Sequence, residues 1–217
     1  ASPDSLAARY GDILSLRALL PDQGPARIGV RLGTAEAALP AEPGLWIAGN
    51  LRFLDLDAWR ALSLPEGGGG PALREAAITF NELKAFNRRL RDTHVRLRPA
   101  GSGWNVVLAG REVSGEIATV PEAGGHRVLA NLKRLALPEP DAAASAEASS
   151  APGGLRALDL TAASLVWKGM ELGELRLRLS PAKQGMQVDS FHIATPESRL
   201  EGKGLLSDHP RRPTRLD

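Results

Sequence analysis

The feature that most constrains this chain is an apolar–polar alternation of period two that recurs along nearly its whole length. It is cleanest in Leu175-Arg176-Leu177-Arg178-Leu179. Successive side chains of a strand point to opposite faces, so this pattern builds a strand with one apolar and one wet face, and it fits no helix. The same rhythm sets Ile28, Val30 and Leu32 against Arg27, Gly29 and Arg31, and sets Thr93, Val95 and Leu97 against His94, Arg96 and Arg98. Trp104, Val106 and Leu108 again share one face.

Clusters of turn formers punctuate these runs, and Gly (23 residues) and Pro (16) supply many of them. The turns at Pro21-Asp22-Gln23-Gly24, at Pro40 to Gly44, at Pro99 to Gly103, at Pro121 to Gly125, at Lys168-Gly169, at Pro181 to Gly185 and at Thr195 to Glu197 separate twelve predicted strands. The strands are predicted at 13–20, 27–32, 45–53, 76–83, 93–97, 104–108, 113–120, 126–137, 155–167, 171–179, 186–194 and 199–206. Strands joined by turns of two to five residues pair antiparallel, since parallel pairing needs a long crossover. The expected fold is therefore all-β, a long curved antiparallel meander.

Three segments break the rhythm. Leu54 to Leu62 changes period, with Trp59 and Leu62 on one side and Asp55 or Asp57 able to accept hydrogen bonds from a first helical turn, so a short helix is expected over 57–63. The glycine run within 66–71 loses too much backbone entropy on ordering to form an element and is expected as a loop. Residues 139–154 carry no aromatic or β-branched residue and no apolar stripe; they are expected to be a disordered insertion replaceable by a short Gly/Ser linker. The organisation predicted is thus a β segment over 1–138, an insertion over 139–154, and a continuation of the meander over 155–217. The tail from His209 to Asp217 is polar and Pro-broken, with no closing element, as expected for a segment of something longer.

The composition excludes several function classes. Without cysteine there is no disulfide framework, thiolate zinc site or cysteine nucleophile. The four histidines, His94, His126, His192 and His209, lack metal-ligand spacing, and no metal or cofactor is expected. Asp55 and Asp57 are explained as a helix entry rather than as an acid/base pair, the glycine run lacks the Lys-Ser/Thr of a phosphate loop, and no Gly-x-Ser-x-Gly elbow occurs. An enzyme is the least favoured reading. Nine aromatic residues are too few for nucleic-acid stacking platforms. The pI of about 9.3 rests on 27 basic against 25 acidic residues, a surplus of two without strong clustering, so no nucleic-acid partner is expected. Arg88-Arg89-x-Arg91 and Arg211-Arg212 read as solvated edges that favour anionic lipid head groups. No run of 18 uncharged apolar residues is present to form a membrane-spanning helix.

A sheet with one apolar face must hide it. A second sheet, closure into a barrel, or a groove that meets an apolar ligand would each suffice, and periodicity does not choose among them. The residues predicted to line that face are Ile28, Val30, Leu32, Val95, Leu97, Trp104, Val106, Leu108, Leu175, Leu177 and Leu179.

A set of short motifs, in order along nearly the whole chain, resembles the C-terminal part of the YhdP proteins of Gram-negative bacteria. They are Tyr10-Gly11, Gly44-Leu45-Trp46-Ile47-Ala48-Gly49-Asn50-Leu51 running into Leu54-Asp55-Leu56-Asp57-Ala58-Trp59, Gly103-Trp104, Val113-Ser114-Gly115-Glu116-Ile117, Leu132 to Pro138, Leu158-Asp159-Leu160, Trp167-Lys168-Gly169 and Leu172-Gly173. That family is grouped with AsmA-like proteins such as TamB and resembles bridge-like lipid transfer proteins. The resemblance implies a periplasmic β-trough, held to the inner membrane by an N-terminal anchor outside this chain, that moves phospholipid toward the outer membrane with acyl chains on its apolar face. Other envelope proteins are possible partners. The alternative is a non-catalytic envelope scaffold that binds partners by strand addition.

Overall fold

The computed structural model describes residues 4–61, 71–139, 155–182, 185–207 and 215–216. Its strands form one sheet of fourteen, in which every strand lies beside its neighbours in sequence. The first four are β1 (Asp4–Tyr10), β2 (Leu14–Leu20), β3 (Arg27–Leu32) and β4 (Gly44–Asp55), followed by the helix α1 (Leu56–Ala61). Then come β5 (Leu73–Ala85), β6 (Arg88–Ala100), β7 (Gly103–Ala109), β8 (Val113–Glu122) and β9 (Gly125–Leu137). The sheet continues through β10 (Leu155–Trp167), β11 (Met170–Ala182), β12 (Gly185–Ala194), β13 (Arg199–Ser207) and β14 (Arg215–Leu216).

All twelve predicted strands form, so the all-β fold read from the alternation stands. Two strands were not legible. The sequence of β1 offers only Leu6 and Tyr10 as large apolar residues, and the strand is exposed throughout because it is a sheet edge. The two-residue β14 pairs with β13 through Gly204↔Leu216 and Leu205↔Arg215, so the polar tail does supply a closing strand. Turns are also tighter than predicted. Pro121 and Pro181 lie inside β8 and β11, and the β8–β9 reversal needs only Ala123-Gly124.

The purely antiparallel meander needs correction. Ten neighbouring pairs are antiparallel, but β3/β4, β4/β5 and β9/β10 are parallel. The physical reason is the length of the connections. Where two to seven residues join strands the chain reverses, whereas residues 33–43, 56–72 and 138–154 each carry it back across the sheet before the next strand starts. Pro40 to Gly44 therefore ends a crossover rather than making a turn. Residues 33–43 make their return over the wet face of β3, where a Cβ on Gly29 would lie 2.1 Å from the carbonyl oxygen of Ala38. Only glycine leaves room there.

This topology gives the sheet two long lips. The first carries the β1–β2, β5–β6, β7–β8, β10–β11 and β12–β13 turns, and the second carries the β2–β3, β6–β7, β8–β9 and β11–β12 turns. All three crossovers leave the first lip and arrive at the second.

The helix expected over 57–63 is observed at 56–61, and 62–63 lie outside the described residues, as does most of the glycine run. Asp55 is its cap: Oδ1 accepts the Ala58 N–H at 2.9 Å and Oδ2 accepts from Lys84 Nζ at 2.9 Å. The Ala58 bond and then the lysine hold the Asp55 carboxyl below its usual range. Asp57 has a different task. Its carboxylate accepts the N–H groups of Phe86 at 2.9 Å and Asn87 at 2.8 Å, the two central residues of the β5–β6 turn. Both have positive φ, 52° and 57°, the pairing of a type I′ hairpin that costs Phe more than Asn or Gly.

Residues 140–154 lie outside the described set, but their endpoints limit what can replace them. Leu137 pairs with Trp167 and Leu155 with His126, so the connection spans the length of β10, about 40 Å at roughly 3.3 Å per strand residue. Covering that takes at least about 12 extended residues. The short linker expected from the sequence therefore fails. Replacing 139–154 by four Gly/Ser residues is expected to abolish the monomeric fold, and a replacement of equal length is expected to melt within about 5 °C of the parent. Thermal melts with size-exclusion chromatography read both outcomes. Asp57→Ala is expected to cost about 1 to 3 kcal/mol in urea titrations, because it strips two charge-assisted bonds from a strained turn, and adding Phe86→Gly is expected to recover part of that loss.

Candidate functional site: the apolar face of the sheet

Strand register gathers the apolar residues into rows that cross the sheet. Following paired residues, one row runs through Leu16, Val30, Ile47, Ala76, Leu97, Val106, Ile117, Ala130, Leu160, Leu177 and Phe191, from β2 to β12 without a break. Ten strand spacings make it about 48 Å long. A second row, two residues away along each strand, contains Leu14, Leu32, Gly49, Ile78, Val95, Leu108, Gly115, Leu132, Ala162, Leu175 and Ile193. A third joins Trp104, Thr119, Val128, Leu158, Leu179 and Val188. Ile28 lies between Ala18 and Leu45. Directly paired residues share a face, so all eleven predicted residues stand on the same side of one sheet.

At the register shift opposite Ser114 and Gly115 the extra residue is Lys133 of β9, and it keeps Leu135, paired with Val113, on the same face as Leu132. Gly115 has φ +136°, and a Cβ there would sit 2.4 Å from the Asn131 carbonyl oxygen, so no other residue fits.

Among the described residues no second sheet or helical layer lies on this face. Even so, Leu175 is 5% exposed, Leu179 6% and Val188 2%. In one layer, such covering comes from side chains of the same face leaning together, which requires the sheet to bend toward them. Long-range contacts form where β7 ends short, leaving residues 88–93 of β6 without a β7 partner. Leu90 of β6 packs against the cluster of Val113, Leu132, Ala162, Leu165 and Leu175, which lies on strands that are not its neighbours. Arg88 Nη1 donates to the Pro138 carbonyl and the Glu112 carboxylate accepts the Arg91 N–H at 2.9 Å, tying β6 to the start of β8 and the end of β9 across the short β7–β8 turn. The apolar face is thus concave. Leu179, Met186 and Val188 form a second cluster, and the half-buried Leu177 packs against both.

The opposite face carries charge in ion pairs. Arg98 donates to Glu75 with Nε at 2.6 Å, and Arg96 approaches the same carboxylate at 3.8 Å. Asp159 accepts from Arg127 at 2.9 Å and from Arg178 at 2.8 Å. Burial pushes the Asp159 carboxyl upward, but the two arginine hydrogen bonds outweigh it and hold the group below its ordinary value. Arg89 pairs with Glu82 at 2.9 Å, His94 Nδ1 meets Thr79 Oγ1 at 3.1 Å, and His192 meets Glu201 at 3.2 Å. Among the described residues no three His, Asp or Glu side chains gather as metal ligands. His209 and Arg211-Arg212 lie outside that set.

A family model described as YhdP protein matches residues 2–215. The chain belongs to the YhdP family. No curated protein and no solved structure matches it. The family assignment agrees with the resemblance drawn from the sequence motifs, and among the described residues no helix is long and apolar enough to cross a membrane.

Sequence reasoning missed Ile47, Ile117, Leu160, Phe191 and Ile193, which are among the residues that join the predicted ones in the rows. Their signal was present as alternation within their own strands, but only register shows that they meet the predicted residues.

Asp159 has a lowered carboxyl pKa in the fold, so the unfolded chain takes up its proton first as pH falls. Its contribution to stability is present above the ordinary carboxyl range, near 4, and is lost as pH falls through the lowered value. Asp159→Asn is therefore expected to lower stability at pH 7 and to flatten its decline below about pH 4, measured by urea titrations across pH.

Proposed function

We propose that this chain is one segment of a periplasmic, AsmA-like conduit in which the concave face carries phospholipid acyl chains between the inner and outer membranes while head groups stay in water. The observation that carries the reading is the unbroken apolar row from Leu16 to Phe191, with no protein layer over it among the described residues. Each methylene sheltered there offsets about 0.8 kcal/mol of hydration cost, and a row without polar gaps lowers the barrier between successive sites. Family membership supports the same direction. At the second lip, Leu20, Ile28, Pro43 and Pro71 line a hollow of about 470 Å³ with Arg74, whose Nε donates to the Pro43 carbonyl at 3.1 Å. A guanidinium beside a hollow of mixed polar and apolar lining suits a phosphate head group. The non-catalytic role follows the same logic, since carrying lipid makes and breaks no bond.

Leu177 tests this reading. A carboxylate at a half-buried site that water reaches is expected to cost about 1 to 2 kcal/mol, against roughly 3 to 5 kcal/mol in a closed core. Leu177→Asp is therefore expected to fold, yet to retain far less phospholipid by mass spectrometry of the purified chain. Arg176→Asp, on the opposite face, is expected to change neither property much. Unfolding of Leu177→Asp, together with photo-crosslinkers at Leu175 and Leu179 that capture no lipid, would mark this face as an ordinary core.

A further inference from the structure

Where β3, β4 and β5 start side by side, the apolar face runs out at the second lip into the hollow that Arg74 lines. Leu20 stands two residues along β2 from Ala18, the partner of Ile28, so both of the hollow's large apolar walls belong to the concave face. Among the described residues Arg74 is the one charged side chain lining it, and no carboxylate does. The guanidinium is held in place. Its Nε–H is spent on the Pro43 carbonyl, and its stem lies across Gly44, where a Cβ would come within 2.5 Å of Arg74 Cγ. Gly44 also has φ +122°, so glycine is required on both counts. The four N–H groups on the two Nη atoms have no partner among the described residues. Glu75, next in sequence, is held on the opposite face by Arg98 and Arg96.

We propose that this hollow selects anionic phospholipids, those whose phosphodiester carries an uncharged alcohol such as glycerol rather than choline or ethanolamine. The inference rests on the reading that acyl chains lie along the apolar face, and adds which head group the second lip prefers. Two phosphate oxygens match the Nη edge of a guanidinium in parallel hydrogen bonds. Every phospholipid offers that phosphate, so discrimination comes from what is attached to it. A choline or ethanolamine ammonium would stand close to the guanidinium, with no carboxylate in the lining to receive it. The carbonyls there are engaged as well. Ala26 accepts the Gly44 N–H at 2.8 Å, Ala72 accepts the Leu45 N–H at 2.9 Å, and Pro43 accepts Arg74 Nε. A glycerol head brings hydroxyls and no second charge. For the tails, Leu20 and Ile28 lead into Leu16 and Val30 of the first row, walls that a free phosphate would leave unused.

The test uses the full chain with a photo-crosslinking residue in place of Leu20, which is 42% exposed, or in place of Leu177 on β11. Each is mixed with vesicles of phosphatidylcholine, phosphatidylethanolamine and phosphatidylglycerol in equal parts, illuminated, and its lipid adducts are identified by mass spectrometry. Adducts at Leu20 are expected to favour phosphatidylglycerol about fivefold over either zwitterionic lipid, while adducts at Leu177 follow the vesicle composition. Arg74→Gln is expected to keep the adducts at Leu20 and level their composition, with circular dichroism checking the fold. Arg156→Gln, which removes an arginine of the same lip that bonds Gly124 and lines no part of the hollow, is expected to keep the preference. Inorganic phosphate in molar excess over lipid is expected to leave phosphatidylglycerol capture in place. The head-group assignment is overturned, and the groove left standing, if Leu177 captures lipid while Leu20 captures none or shows no preference. A preference that survives Arg74→Gln, or that Arg156→Gln also abolishes, has the same meaning. Displacement by inorganic phosphate would reduce the hollow to a plain anion site. Capture at neither position would instead sink the groove reading, and the head-group assignment with it.

Discussion

The structure depends on one constraint: a single layer of strands must shelter an apolar face with nothing laid over it. Side-by-side packing along the rows meets that constraint only if the sheet bends, because neighbouring side chains converge on the concave side. The cluster around Leu175 and Ala162 and the approach of Leu90 across intervening strands are the visible result. The charged face follows from the same curvature, since residues there splay apart and have room for the long side chains that pair Arg127 and Arg178 with Asp159. Leu177 marks the compromise. It touches both clusters and stays only partly buried, where a closed sandwich would bury it fully.

Much of this was legible in the sequence because strand periodicity is local. Alternation in Leu175 to Leu179 determines which side chains share a face, whatever the strand pairs with, and the eleven predicted residues do fall on one side. Direction was not legible in the same way. Pro and Gly mark where a strand ends, but whether the chain then reverses or returns across the sheet depends on connection length and register, so three parallel pairs were read as antiparallel. Edge strands escaped for another reason. A strand such as β1 buries little, so its composition carries little trace of a face. Near Asp55 and Asp57 the sequence pointed to the right chemistry and half of the geometry: Asp55 caps the helix, while the acceptors on Asp57 serve a turn 29 and 30 residues away.

The crossovers have a consequence for how such a sheet grows. Cut at the three returns, the strands fall into groups of three, one, five and five, all odd numbers. An odd group enters at the second lip and leaves at the first, and the return restores the starting position for the next. Each group is therefore interchangeable in direction with every other, and another can be spliced in at a return without reversing any strand that follows. Stability in such an array comes largely from neighbouring strands, with only local clusters such as that around Ala162 and Leu175 reaching further. Lengthening the trough is then a matter of tandem duplication, and its reach is set by the number of groups.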